Sequence, residues 1–200
     1  MKDAALLLFD LQNDFMHPDG AYARGGATDP AITALPARLA PLVAAVRRAG
    51  GMIASTHFTL WPGRGGEPII APHLKKLRPF LRKGDFAPGS WGQALVDELA
   101  PSDITIEKVA YSAFYQTRLE WMLRKCGIAR LIVAGITTNG GVSTTVRDAH
   151  VRDIDVTVLS DGCATIGREV HETAIAALRS VARVATVADA LDAVARGELP

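Results

Sequence analysis

The stretch LIVAGITTNGGVSTTVRDA, residues 131–149, joins an apolar run to a helical segment through a polar turn. The apolar run ends at Gly135, and the turn 137–141 contains no cysteine, histidine or carboxylate. In open parallel sheets, ligands bind beyond the carboxyl ends of the strands, where turns of this kind lie. The stretch therefore predicts an α/β fold and an active site with two glycines at its centre.

Apolar runs and amphipathic segments alternate along the rest of the chain. The continuous apolar run at residues 4–9 is typical of a strand buried on both faces, and five more candidate strands lie at residues 52–56, 103–107, 131–135, 156–160 and 183–187. Helical stripes lie between them at Leu35, Leu39, Leu42, Val43 and Val46, at Leu119, Met122, Leu123 and Cys126, and at Val170, Ala174, Ala177 and Leu178. This alternation predicts right-handed crossovers and a parallel sheet covered by helices on both faces.

The segment 57–101 differs from the remainder because proline and glycine recur throughout it. We expect loops and short turns there rather than a second domain. Long ordered loops inside compact domains are usually functional. The chain of 200 residues is the size of one domain, so we expect a single domain over residues 1–200.

The composition narrows the classes of partner. The 22 basic and 21 acidic side chains leave a formal net charge of +1, which favours neither nucleic acid nor a membrane surface as a partner. No apolar run reaches the ~20 residues of a membrane span. Two cysteines are too few for a disulfide framework and suit a reducing compartment. We therefore expect a cytoplasmic protein with a small-molecule substrate.

Polar residues follow three of the predicted strands. Asp10 comes after the first strand, Lys108 after the third, and the turn 137–141 after the fourth. Because these ends share one edge of the sheet, Asp10 and Lys108 are expected to meet. The pair is either a partly buried salt bridge or a general acid or base tuned by the cation and by burial. The helix start near Gly140 either offers N–H donors to this site or is an ordinary start capped by Asn139.

Other side chains are weaker candidates for a functional role. Phe15, Trp91 and Tyr115 either line a pocket for a small planar substrate or cover the edges of the core. Cys126 lies on an apolar helical stripe and is expected in the core. Cys163 is near the predicted active edge and is a minor candidate nucleophile. His57 follows the second strand and is either near the site or a hydrogen-bonded structural residue.

Three motifs together resemble the isochorismatase-like hydrolases, a superfamily that includes nicotinamidases, N-carbamoylsarcosine amidohydrolases and biuret hydrolase. They are LLLFDLQNDFMHPDGA at 6–21, EKVAYSAFYQT at 107–117 and LIVAGITTNGGVSTTVRDA at 131–149. The resemblance covers nearly the whole chain. It implies a three-layer domain with a six-stranded parallel sheet, and a homo-oligomer, either a dimer or a tetramer.

The resemblance also implies a triad of Asp, Lys and Cys, as in most members of the superfamily. The aspartate corresponds to Asp10 and the lysine to Lys108, but the position of the nucleophile is Gly141. The backbone N–H groups of Thr137 and Gly141 would hold an oxyanion, and a cis peptide bond can precede Thr137 in the family. We expect the substrate to be bound by Phe15, Trp91, Tyr111, Tyr115 and Thr138.

Gly141 leaves three accounts of the function open. In the first, the protein is similar to glycine-bearing isochorismatases, which cleave a vinyl ether with the aspartate as general acid and no covalent intermediate. In the second, water attacks an amide or ester directly and Asp10 is the base. In the third, the protein is a non-catalytic binder or an inactivated cysteine hydrolase, in which Gly141→Cys would restore an activated thiol.

We expect a non-covalent small-molecule hydrolase in which Asp10 is the general acid or base and Lys108 supports it. Nicotinamidases bind a divalent ion through an Asp-x-His pattern and a later histidine. The corresponding residues here, THFT at 56–59, lack that pattern. We therefore expect no metal and no cofactor.

Overall fold

The computed structural model describes residues 2–198 and 200, and its centre is a six-stranded sheet in the order β3-β2-β1-β4-β5-β6. Every pairing between neighbouring strands of this sheet is parallel. The strands are β1 (Ala4–Phe9), β2 (Met52–Phe58), β3 (Ile104–Lys108), β4 (Arg130–Ile136), β5 (Asp155–Ala164) and β6 (Arg183–Ala185). The predicted α/β fold with a six-stranded parallel sheet is confirmed.

Helices cover both faces of the sheet and make the predicted three layers. They are α1 (Asn13–Met16), α2 (Ala21–Arg24), α3 (Pro30–Thr33), α4 (Leu35–Arg48), α5 (Pro72–Leu77), α6 (Leu119–Lys125), α7 (Ser143–His150), α8 (Arg168–Leu178) and α9 (Val187–Ala195). Buried residues of α4 and α9 belong to one apolar cluster, and those of α6, α7 and α8 belong to the other. Across residues 2–198 and 200, no helix is long and apolar enough to cross a membrane.

The first strand is buried on both faces, which explains its continuous apolar sequence. Leu6 and Leu8 pack in the cluster that contains α4 and α9, whereas Ala5, Leu7 and Phe9 pack in the opposite cluster. All five side chains are fully buried. Since successive side chains of a strand face opposite sides, a helix layer on each side requires apolar residues at every position.

Three details of the predicted elements are wrong. β5 was expected to end at residue 160, but it continues to Ala164 past an irregularity in its pairing with β4, and Cys163 lies inside it. Cys126 was expected in the core, but it follows the last residue of α6 and is exposed. Val170 and Ala177 are exposed on α8, where the buried residues are Ala174, Ile175 and Leu178.

The long connection between β2 and β3, residues 59–103, is mostly loop, as expected, with α5 as its helix. It is fastened to the segment that follows β1. The Gln12 side chain donates to the carbonyls of Phe58 and Gln93 at 3.0 and 2.8 Å. The Asp14 carboxylate accepts from the Phe86 N–H at 2.7 Å. These contacts hold the connection over the carboxyl edge of the sheet.

Candidate active site

Asp10 and Lys108 form a buried pair at the carboxyl edge of the sheet, as the sequence predicted. Lys108 Nζ lies 2.7 Å from Asp10 Oδ2, and both side chains are almost inaccessible to solvent. Asp10 directly follows β1, and Lys108 is the last residue of β3, so the lysine reaches across the end of the intervening β2. On β2, the Thr56 hydroxyl donates to Asp10 Oδ1 at 2.7 Å. Both carboxylate oxygens are therefore hydrogen-bonded.

The backbone at Asp10 is unusual. Its φ of 56° lies in the left-handed region, which non-glycine residues seldom adopt. Its N–H donates to the Thr56 hydroxyl at 3.1 Å, so this conformation is held on the backbone side as well. The Asp10 side chain is therefore held in a fixed orientation directly after β1.

Burial sets the electrostatics of the pair. Burial raises the pKa of the Asp10 carboxyl above its ordinary value, while the Lys108 ammonium and the hydrogen bond from Thr56 oppose this rise. The ammonium also donates to the Ala110 carbonyl at 3.0 Å and lies 4.7 Å from the centroid of the Phe9 ring. A buried carboxyl beside a fixed cation is a candidate for proton transfer, because the two effects on its pKa oppose each other.

The turn after β4 has an irregular backbone. Residues Thr138–Val142 form one π-helical turn, α7 begins at Ser143, and the peptide bond between Ile136 and Thr137 is cis. The alternative of a helix start capped by Asn139 is not observed: its Oδ1 accepts a hydrogen bond from Thr165 Oγ1 at 2.8 Å.

The ring of Phe9 fills the space beside Gly141. A Cβ atom added at Gly141 would overlap Cε1 of Phe9, and it would lie 2.9 Å from Cζ and 3.3 Å from the Tyr111 carbonyl oxygen. Phe9 is fully buried, so its ring can move only by disturbing the core. Any side chain at position 141, including a cysteine, requires Phe9 to be displaced.

A pocket opens onto the pair and the turn. Its lining contains every residue predicted to be catalytic or to form the oxyanion site, together with two predicted substrate-binding residues, Phe15 and Tyr111. The lining residues are Asp10, Phe15, Tyr22, Phe58, Arg78, Lys108, Tyr111, Ile136, Thr137 and Gly141.

Three predicted substrate-binding residues lie outside this lining. Trp91 is half-exposed, and its ring meets the edge of the His17 ring at a centroid distance of 5.0 Å. Tyr115 is also half-exposed. Thr138 is fully buried, and its Oγ1 lies 2.9 Å from Nδ1 of His171 on α8. The roles of these three residues in substrate binding stay predictions.

Four lining residues were missed by the sequence analysis. Phe58 and Ile136 are the last residues of β2 and β4, so the rule that ligands bind at strand ends could have found them. Tyr22 and Arg78 come from α2 and from the residue after α5. No sequence pattern marks these two, because only the packing of the long connection brings them to the pocket.

Two weaker candidates for a functional role, Cys163 and His57, are buried within strands. Cys163 is buried in β5, where burial raises the pKa of its thiol to about 12, so a thiolate does not form there near neutral pH. His57 Nε2 lies 3.1 Å from Ser55 Oγ, and burial lowers the pKa of the imidazole to about 4. Neither residue lines the pocket. In the described chain, no group of three or more His, Cys, Asp or Glu side chains is arranged to hold a metal ion.

Comparison with known proteins assigns the family. Residues 4–190 match the model of the isochorismatase domain. The chain belongs to the isochorismatase family. Its membership confirms the resemblance carried by the three motifs and identifies the chain as a hydrolase.

Individual relatives agree with this assignment. The chain is 36% identical over 193 residues to the ureidoacrylate amidohydrolase RutB of Methylobacterium radiotolerans, covering 86% of this chain and 71% of that protein. It is 34% identical over 218 residues to the enzyme of the same name from Enterobacter sp., covering 96% and 90%. The crystal structure of a cysteine hydrolase from Pseudomonas syringae pv. phaseolicola has a TM-score of 0.82 and 24% identity over 97% of this chain and 93% of that one. This last likeness shows a shared fold.

Proposed function

We propose that this isochorismatase-family hydrolase cleaves a small molecule without a covalent enzyme intermediate. Asp10 moves the proton as general acid or base, and Lys108 stabilises the carboxylate. The observation that carries the proposal is the Phe9 ring beside Gly141, at the position of the family's nucleophile. Because the site is filled by a ring there, water is the nucleophile that the pocket can supply.

The surroundings of Asp10 suit proton transfer. The rise in its pKa on burial favours a protonated carboxyl that can donate to a leaving group. When the proton leaves, the ammonium of Lys108 at 2.7 Å stabilises the carboxylate that forms. The backbone N–H groups of Thr137 and Gly141, whose residues line the same pocket, would hold an oxyanion or the leaving group.

Two bonds are candidates for cleavage. Gly141 and the raised pKa of Asp10 favour the first, a vinyl ether that Asp10 protonates before water attacks. The relatives named ureidoacrylate amidohydrolase favour the second, a C–N bond. In that reaction water attacks the carbonyl carbon while Asp10 accepts its proton, and the backbone N–H groups hold the oxyanion. Asp10 then returns the proton to the leaving nitrogen as the C–N bond breaks.

Replacement of Asp10 by asparagine tests the proposal. We expect Asp10→Asn to lower turnover by about 10²- to 10⁴-fold, because the amide neither donates nor accepts the proton. The assay follows pyruvate released from isochorismate and ammonia released from ureidoacrylate. Asp153→Asn is the matched control, since Asp153 is exposed and has a φ of 58°, close to that of Asp10.

Several outcomes contradict the proposal. Unchanged turnover in Asp10→Asn removes Asp10 from the mechanism. If iodoacetamide inactivates the wild-type protein but not the Cys163→Ala variant, a thiol mechanism is supported instead. If the wild-type protein binds both compounds and releases neither product, the binding account is favoured instead.

A further inference from the structure

His171 lies outside the active-site pocket but contacts the turn after β4 directly. It is a partly exposed residue of α8, the helix that packs against this turn. Its Nδ1 lies 2.9 Å from Oγ1 of Thr138, the second residue of the turn 137–141. The proposed reaction does not use His171, because the imidazole is not on the pocket lining.

The Thr138 side chain depends on this contact. It is fully buried, and within residues 2–198 and 200 its hydroxyl has no hydrogen-bond partner other than His171. A buried hydroxyl that loses its partner costs free energy. Loss of the imidazole would therefore favour another conformation of the turn.

The backbone of Thr138 closes the turn. Its carbonyl accepts hydrogen bonds from both the hydroxyl and the N–H of Ser143, the first residue of α7. Thr138 lies between Thr137 and Gly141, the two residues of the turn that line the active-site pocket. A shift of Thr138 would therefore change where the N–H groups of these two residues point.

His171 also lines a second cavity, which shares no residue with the active-site pocket. Thr165 lines the same cavity, and its hydroxyl donates to Oδ1 of Asn139, the next residue of the turn, at 2.8 Å. The side chains of His171 and Thr165 thus hold the turn from the side of this second cavity. Truncation of His171 would leave a space the size of an imidazole ring that opens onto it.

We propose that His171 is a positioning residue, which acts through Thr138 to hold the turn in the conformation that the reaction needs. The inference rests on the proposed function for the role of the backbone N–H groups of Thr137 and Gly141. Donors of this kind stabilise charge that develops in the transition state, so their placement affects kcat more than substrate binding.

Turnover of His171→Ala, with isochorismate and with ureidoacrylate as substrates, tests the proposal. We expect kcat to fall by about 10- to 100-fold and KM to change much less. His171→Asn should keep most of the activity, since its amide places a polar atom near the position of Nδ1. Free imidazole should restore part of the kcat of His171→Ala, because it can occupy the space that truncation leaves.

Hydrogen exchange of the segment 137–142, followed by mass spectrometry, tests the proposal without any turnover. We expect faster exchange in His171→Ala and recovery with imidazole or in His171→Asn. His150→Ala is the matched control, because it removes an exposed histidine from the end of α7. It should change neither kcat nor exchange, and it should not respond to imidazole. Thermal unfolding of each variant checks that it folds.

Unchanged exchange in His171→Ala overturns the proposal, whether or not either compound is turned over. Faster exchange with unchanged kcat overturns the positioning role. A loss of kcat that neither imidazole nor His171→Asn restores also overturns it, since damage to the fold would then explain the loss. Faster exchange that imidazole reverses, together with unchanged turnover in Asp10→Asn, would support this inference and reject the proposed mechanism.

Discussion

At the scale of single residues, Phe9 determines whether a side chain fits at position 141. The space beside a glycine at the family's nucleophile position can be empty, so that a thiol would fit there, or it can be filled by another residue. The Phe9 ring fills it. Gly141 is therefore part of a packed arrangement, which disfavours the account of a cysteine hydrolase inactivated by a single replacement.

Gly141→Cys should accordingly fail to restore a reactive thiol. We expect the variant to lose about 1–3 kcal/mol of unfolding free energy, because the new Cβ and Sγ overpack the core against Phe9. Urea denaturation and the rate of iodoacetamide labelling at position 141 measure the two effects.

The double variant Phe9→Ala with Gly141→Cys is the control for this steric reason. Removal of the ring should relieve the overlap, so that the thiol reacts with iodoacetamide faster than in the single variant. Phe9→Ala alone measures the unfolding free energy that is lost when the ring is removed and a cavity is left. A single Gly141→Cys variant that is as stable as the wild type and labels rapidly would refute the assigned role of Phe9.

The same residues mark the limit of what the sequence predicts. Asp10, Lys108 and Gly141 could be placed at one edge because each follows a predicted strand. The contact between Phe9 and Gly141 could not be predicted, because both residues fit ordinary strand and turn patterns. Arg78 was missed for a similar reason, since its position depends on how a long loop folds back.

At the scale of elements, the connection 59–103 and the segment after β1 form one unit over the pocket. The Asp14 carboxylate accepts from the N–H groups of Ala21 and Phe86 at 3.0 and 2.7 Å. Gly92 packs directly against that carboxylate. The connection is thus held by buried polar contacts, which depend strongly on geometry.

Gly92→Ala should disrupt this unit. A Cβ at Gly92 would overlap the Asp14 carboxylate group and lie 2.7 Å from Oδ1. We expect a loss of about 1–3 kcal/mol in unfolding free energy, measured by urea denaturation. We also expect a raised KM, because Arg78 of this connection lies on the pocket lining.

Gly65→Ala is the matched control in the same connection. A Cβ there has no heavy atom within 4 Å, so its effect should stay within about 0.5 kcal/mol. Equal effects of the two alanine variants would show that the contact with Asp14 does not determine the stability of the connection.

Elements were easier to predict than contacts. The run at 4–9 coincides with β1 because helices on both faces require continuous apolar residues. Cys126 was misplaced because the helical stripe was extended one turn beyond the residues that pack. Cys163 was taken for a residue beyond a strand end because the irregularity in β5 leaves no mark in the apolar pattern.

At the scale of the whole molecule, the stability of the fold depends on pH through its buried titratable groups. His57 on β2 is buried and has a pKa of about 4, compared with an ordinary value of 6.5. Between these two pH values the unfolded chain binds a proton at this residue and the folded protein does not. The free energy of unfolding therefore falls as the pH decreases through this range.

We expect the free energy of unfolding to fall by about 1–2 kcal/mol because of His57 when the pH is lowered from 7 to 5. His57→Gln should remove this contribution and flatten the pH dependence, as followed by urea denaturation at each pH. His150→Gln, which replaces an exposed histidine, is the control and should leave His57 and its contribution in place. An unchanged slope in His57→Gln would contradict the assignment.

The homo-oligomer, the cytoplasmic location and the single domain over residues 1–200 stay predictions. The structure of one chain does not test them. Several large apolar side chains are exposed, among them Trp61, Ile69 and Trp121. These are the surfaces on which a partner copy would bury apolar area.

The position of Lys108 on an edge strand ties the proposed catalysis to a part of the sheet that is paired on one side only. β3 has a neighbour on one side only, yet it supplies the cation for a carboxylate two strands away. Edge strands open locally at a lower free energy than central strands do. When β3 detaches, Asp10 loses its partner while the other five strands remain paired. Heat or denaturant should therefore inactivate the enzyme before it unfolds, and recovery of activity would report the docking of β3.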